Sequence, residues 1–151
     1  MDISSLPKDL LPQSDLSYGI GGIEFFSLTS LAEEQRGYKA SDWNKNWLVV
    51  ARDTACGDPI FLDQSCDNLP VYTAMHGMGS WQPSLIAGSW SQFVAALELI
   101  RPYARGREHP VGVEEHPLSL EERHALQNGL HSILGTPIAN FWDLLLAPAE
   151  P

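Results

Sequence analysis

The feature that most constrains this chain is the spacing of three short apolar runs. Trp47-Leu48-Val49-Val50-Ala51 is unbroken, and Ile60-Phe61-Leu62 and Val71-Tyr72-Thr73-Ala74-Met75 follow closely. Thr54-Ala55-Cys56-Gly57 and the polar stretch Gln64 to Pro70 separate them. Parallel strands need a crossover of a dozen or more residues, and these linkers are shorter, so the runs pair antiparallel as a three-stranded meander. The Trp47 run has no polar alternation, which predicts a strand covered on both faces. Pro59 is tolerable at a strand start, where its missing N–H is not needed by the ladder.

A helix supplies cover for one face. Ser89 with Gln92 three residues on has capping-box spacing. Trp90, Phe93, Val94, Leu97 and Ile100 then share one side at 3.6 residues per turn, and Pro102 is expected to stop the helix. Upstream, Gly21-Gly22-Ile23-Glu24-Phe25-Phe26 reads as a turn into a short strand. Ser30 with Glu33 predicts a capped helix over Leu31–Arg36 ending at Gly37. Residues 1–17 read as a loose lead-in with one helical turn around Pro7–Leu11. Residues 102–118 read as a surface connection. Ser119 with Glu122 then caps a helix carrying Leu126, Leu130, Ile133 and Leu134 that ends at Gly135, and Thr136-Pro137 opens a last helix through Leu146. Strands followed by helices give an α+β fold, a mainly antiparallel sheet with helices packed on one side and a C-terminal helical extension. The 151 residues fit one domain, with the core pattern over about 19–101 and the extension over 102–151.

The order of motifs in the middle of the chain resembles the SUKH superfamily, whose best-known branch is named after a fungal regulator of cell-wall synthesis. The likeness rests on Trp47-Leu48-Val49-Val50-Ala51, Gly57-Asp58 leading into Ile60-Phe61-Leu62-Asp63, and Pro70-Val71-Tyr72. His76-Gly77, Ile86-Ala87 and Ser89-Trp90-Ser91-Gln92-Phe93-Val94 continue it, across residues 43–97. The resemblance implies an α+β fold and a role in protein binding without a shared catalytic chemistry. Many bacterial members are immunity proteins that neutralise a toxin. Family members carry a helix pair ahead of the Gly-Gly segment, where this chain has 18 residues before Gly19, and the helices after Pro102 lie outside the shared pattern.

Charge narrows the partner class. Nineteen acidic against nine basic side chains leave a net charge of -10. Phosphate binding needs a positive field, so neither nucleic acid nor an anionic membrane is expected as partner. No apolar run approaches a transmembrane length, the start lacks a signal-peptide pattern, and two cysteines are too few for a disulfide scaffold, so a cytoplasmic protein is expected.

Candidate site residues fall near the turns. Asp53, Asp58, Asp63 and Asp67 bracket the hairpins, either as an acidic edge for a basic partner or as solvated turn residues bonding nearby backbone. Trp43 and Trp81 lie in polar stretches, either as interface anchors or as lids folded over the sheet. Cys56, His76 and Asp58 or Asp63 are the residue types of a nucleophile, base and orienter, with the alternative that Cys56 packs in a turn and His76 is satisfied by backbone. His109, Glu114, Glu115, His116, Glu121 and His124 are metal-capable types but lack the H-E-x-x-H spacing, and no metal is expected. The Gly19 to Gly22 segment precedes an extended stretch rather than a helix, unlike a dinucleotide fingerprint, and no cofactor is expected. Arg101, Arg105 and Arg107 follow a helix, where basic side chains complement the macrodipole.

These readings predict a non-catalytic protein-binding domain, an immunity-type protein for a basic toxin domain. Its partner-binding residues are expected to be Asp53, Asp58, Asp63, His76, Trp81 and Trp43. One alternative is a small hydrolase or metal-dependent enzyme using His76 with nearby carboxylates. Another is a regulatory adaptor without a toxin partner.

Overall fold

In the computed structural model, which describes residues 6–7, 10, 13–19, 21–38, 41–108, 115–136, 138 and 141–142, the three runs pair as expected. They are β3 (Trp47–Asp53), β4 (Pro59–Asp63) and β5 (Val71–Thr73), antiparallel neighbours in a sheet ordered β1-β2-β3-β4-β5-β6. β2 (Gly21–Phe25) is the strand expected after the glycines. β1 (Leu16–Tyr18) and β6 (Ser84–Ala87) extend the meander at either edge, where the sequence reading has a lead-in and no strand. The fold is α+β with an antiparallel sheet. Gly22 lets β1 and β2 close up, because a Cβ there would collide with the Leu16 carbonyl oxygen.

Register separates the two faces. Leu48 pairs with Leu62 and Leu62 with Val71, while Ala51 pairs with both Ile60 and Phe25. These side chains face α2 (Trp90–Ala104), whose Phe93 ring stands 6.2 Å from that of Phe25. Trp90, Phe93, Leu97 and Ile100 are buried as the helical spacing requires, with Val94 only half-buried at the margin. The Ser89 hydroxyl accepts from the Gln92 N–H at 3.1 Å, forming the expected cap. α3 (Leu120–Leu134) packs on α2, and its capping box closes both ways between Ser119 and Glu122. Gly129 permits that approach, since a Cβ there would press on the Leu99 side chain.

The opposite face carries Val49, Phe61 and Tyr72, and aromatic rings cover it. Phe61 has Tyr72 at 5.9 Å, Trp47 at 4.9 Å and Trp43 at 4.9 Å. Trp81 and Tyr38 close over Trp43 at 5.2 and 4.9 Å. The unbroken apolar run of β3 thus has cover on both faces, a helix on one and an aromatic layer on the other.

Three local expectations fail for identifiable reasons. Pro102 does not stop α2, which runs to Ala104. The lost hydrogen bond falls in the last turn, where buried Ile100 and Ala104 hold the helix to the core and the Arg107 N–H bonds the Ala104 carbonyl. Ser30 does not cap α1, because its own backbone is helical and its hydroxyl is engaged with Ser27. The segment expected as one helix is a single turn, α1 (Leu31–Glu34), tightened into a 3₁₀ turn over Gln35–Gly37. The expected helical turn at residues 7–11 and most of the helix after Pro137 lie outside the described residues. Trp142 in that last segment is fully buried, stands 5.6 Å from Phe93 and donates its indole N–H to the Ile86 carbonyl at 2.8 Å.

Gln35 completes the sheet. β2 stops pairing with β3 at Ala51, the Phe26 N–H still donates to the Val50 carbonyl, and the Gln35 side-chain amide takes the place beyond. It donates to the Val49 carbonyl at 2.7 Å and accepts from the Val49 N–H at 2.8 Å. Val49 is fully buried, so these groups have little access to water. Gln35→Ala is expected to lower unfolding free energy by about 2 kcal/mol in urea titration, the scale of leaving buried polar groups unpaired. A loss below about 0.5 kcal/mol would mean the amide is dispensable.

Candidate functional site

The β3–β4 turn is built by its own aspartates. β3 ends at Asp53, whose Oδ1 accepts from the Ala55 N–H at 2.6 Å and the Cys56 N–H at 3.2 Å. The Asp53 N–H donates to the Asp58 carbonyl at 2.9 Å, and Gly57 adopts φ of +78° to bring the chain back. Asp58 reaches sideways to the β5–β6 loop. Its Oδ1 accepts from the His76 N–H at 3.1 Å and contacts His76 Nδ1 at 2.6 Å. A ring nitrogen facing a carboxylate is the one that carries the proton, so Nδ1–H donates and Nε2 is the ring's free nitrogen. The Asp58 side chain is 17% exposed and that of His76 56%.

The carboxylates of Asp53 and Asp58 and the Cys56 sulfur lie within 4.8 Å of one another. Among the described residues this is the one group of three side chains able to hold a metal ion, with the O and S donors that suit zinc. The Asp53 charge, burial and the Asp58 charge together push the Cys56 thiol above its ordinary value. The thiol therefore stays protonated at neutral pH, the opposite of what a thiolate nucleophile needs. In a Cys66→Ser background, Asp53→Asn is expected to speed iodoacetamide alkylation of Cys56 several-fold at neutral pH. Removing the negative charge lowers the thiol pKa and raises the thiolate fraction, while the asparagine carbonyl can still accept the two turn N–H bonds. An unchanged rate–pH profile would contradict the electrostatic account.

Asp63 and Asp67 are elsewhere. Asp63 closes β4 at its far end, pairs in register with Trp47, and accepts from the Ser65 N–H and hydroxyl at 2.9 and 2.5 Å. Five strand steps separate it from Asp58, roughly 16 Å. The acidic series is therefore two clusters at opposite ends of the sheet rather than one edge. Trp43 and Trp81 fold back over the sheet, both half-buried, and the Trp81 backbone N–H donates to Asp42 Oδ2 at 2.6 Å. A small cavity of about 220 Å³ joins Trp81 and Asp42 to the β5–β6 loop, where Met75 and Met78 also line it.

That loop also carries Met75 and Met78, 63% and 64% exposed. With Asp58, Thr73, Gln82 and Pro83 they line a groove of about 370 Å³. The sequence reading carries the third strand on to Met75, but β5 stops at Thr73 and Met75 lies in the loop with Met78, where Gly77 and Gly79 favour a turn over a ladder. One end of the sheet therefore gathers Asp53, Cys56, Asp58, His76, Met75 and Met78.

The other sequence candidates lie apart. His109 and Glu114 are outside the described residues, and Glu115, His116, Glu121 and His124 are exposed. Arg101 donates to the Ser14 and Asp15 carbonyls and Arg107 to those of His116 and Tyr103, so both tie chain segments together. No helix among the described residues is long and apolar enough to cross a membrane. No family model, curated protein or solved structure matches the chain.

Proposed function

We propose that the chain is a cytoplasmic, non-catalytic protein-binding domain of the SUKH immunity type. Its partner is a basic toxin domain, met by the end of the sheet formed by the β3–β4 turn and the β5–β6 loop. The observation that carries this reading is a groove lined by Asp58 and two exposed methionines, with the Asp53 carboxylate and the His76 ring gathered around Asp58 beside it. Among the described residues neither aspartate pairs with a lysine or arginine, since Arg52, the nearest in the strand, is taken by Glu24 at 2.8 Å. Paired negative charges beside adaptable apolar side chains suit a cationic protein surface, and the net charge of -10 steers such a partner in.

A hydrolase reading draws on the 2.6 Å Asp58–His76 contact, an orienter and base in order. Against it, the neighbouring thiol is held protonated by the same carboxylates. Co-expression with basic toxin domains encoded beside its gene is expected to restore growth and yield a co-purifying complex. Growth arrest that none of these co-expressions relieves, with no complex formed, would contradict the proposal.

A further inference from the structure

The groove beside Asp58 has a shape and charge that select a particular kind of partner segment. We propose that it receives a lysine or arginine together with an adjacent apolar side chain from one partner segment, the cation resting on Asp58 and Asp53 and the apolar group lying between Met75 and Met78. This rests on the protein-binding reading above and specifies what is bound there.

Three observations lead to it. Gly77 and Gly79 adopt φ of +75° and +79°, a left-handed backbone that turns the loop, and Met75 and Met78 beside them stay largely exposed. Unbranched thioether side chains repack around varied apolar shapes, as a recognition surface requires. At about 370 Å³ the groove lies at the small end of binding-site volumes, room for a few side chains rather than a whole helix.

The second observation is the state of Asp58. Both bonds from His76 fall on Oδ1, and among the described residues nothing donates to Oδ2. The third is the neighbouring Asp53 carboxylate, inside the same 4.8 Å cluster. Two like charges this close repel, and a cation placed between them relieves the repulsion, so the pair favours a basic side chain over any neutral one. His76 Nδ1 is committed to Asp58, and its bond holds the loop against the turn, so the groove is formed before the partner arrives.

The chain has three methionines, Met1, Met75 and Met78, so labelling methionine methyl groups with carbon-13 gives a spectrum with two reporters in the groove. The probes are short acetylated peptides alternating lysine with leucine, glutamate with leucine, and lysine with serine. The lysine–leucine peptide is expected to shift the Met75 and Met78 methyl signals in a saturable way. The other two peptides are expected to shift neither. Asp58→Asn should weaken the titration about tenfold. Met78→Gln, at a position too exposed to affect folding, should weaken it while the rest of the spectrum stays native.

Equal response to the lysine–serine peptide, or no movement of either methyl signal, overturns the proposal. The same labelled protein is then titrated with a toxin domain it neutralises. Binding that Asp53→Lys weakens without moving the Met75 and Met78 signals overturns the groove assignment and leaves the protein-binding reading standing. Failure to bind any such domain overturns that reading itself.

Discussion

Phe93→Ala is expected to lower the unfolding free energy by about 3–5 kcal/mol. Phe93 is fully buried and stands where distant parts of the chain converge. Its ring is 5.2 Å from Trp90 in its own helix, 6.2 Å from Phe25 on β2 and 5.6 Å from Trp142 near the C-terminus. Truncation removes the ring's burial and leaves a cavity that the neighbours cannot fill, because Phe25 is fixed by strand pairing and Trp142 by its bond to the Ile86 carbonyl. For a domain of this size the loss corresponds to a fall in melting temperature of roughly 10 °C. Leu120→Ala is the control, since Leu120 is 70% exposed and its loss should cost under about 0.5 kcal/mol. Comparable losses in denaturant titrations of the two variants would mean that α2 does not lie on the sheet as described.

What could be read from the sequence follows a physical division between local and distant causes. The Ser119–Glu122 box and the Ser89 cap depend on residues three apart, and both form. The burial of the α2 stripe follows from period alone. The β3–β4–β5 meander follows from linkers too short for a crossover. Ser30 shows the limit of spacing, because a capping pattern does not reveal that Ser27 competes for the same hydroxyl. β1 and β6 are illegible for another reason. Leu16-Ser17-Tyr18 has no strand signal of its own and becomes a strand by pairing with Gly21 to Ile23.

The site divides the same way. Asp53, Asp58 and His76 are visible as residue types near turns, but the Asp58–His76 bond joins positions 18 apart in sequence and exists only because β4 and β5 pair. The same strand geometry separates Asp58 from Asp63, which sequence places in one acidic series. Trp43 and Trp81 show no periodicity, and only the folded chain brings them together over Phe61.

The second large effect concerns charge. Asp53→Lys with Asp58→Lys turns the cluster beside the groove from negative to positive, while Asp63→Lys with Asp67→Lys makes the same net change at the other end of the sheet. Net charge changes equally in the two double variants, so long-range steering is matched, and each variant also removes the aspartate bonds that shape its own turn. Like charges meeting in an interface cost several kcal/mol, so the first double variant is expected to weaken a basic partner by a hundredfold or more. The second should alter association by only a few-fold, and that difference should vanish at high salt.

The dissociation constants of these two double variants, measured side by side against one basic toxin domain the protein neutralises, test most directly whether the Asp53–Asp58 end of the sheet is the binding face. The account predicts near-complete loss for D53K with D58K, and retained binding for D63K with D67K. Equal weakening by both, or loss confined to the second, would contradict it.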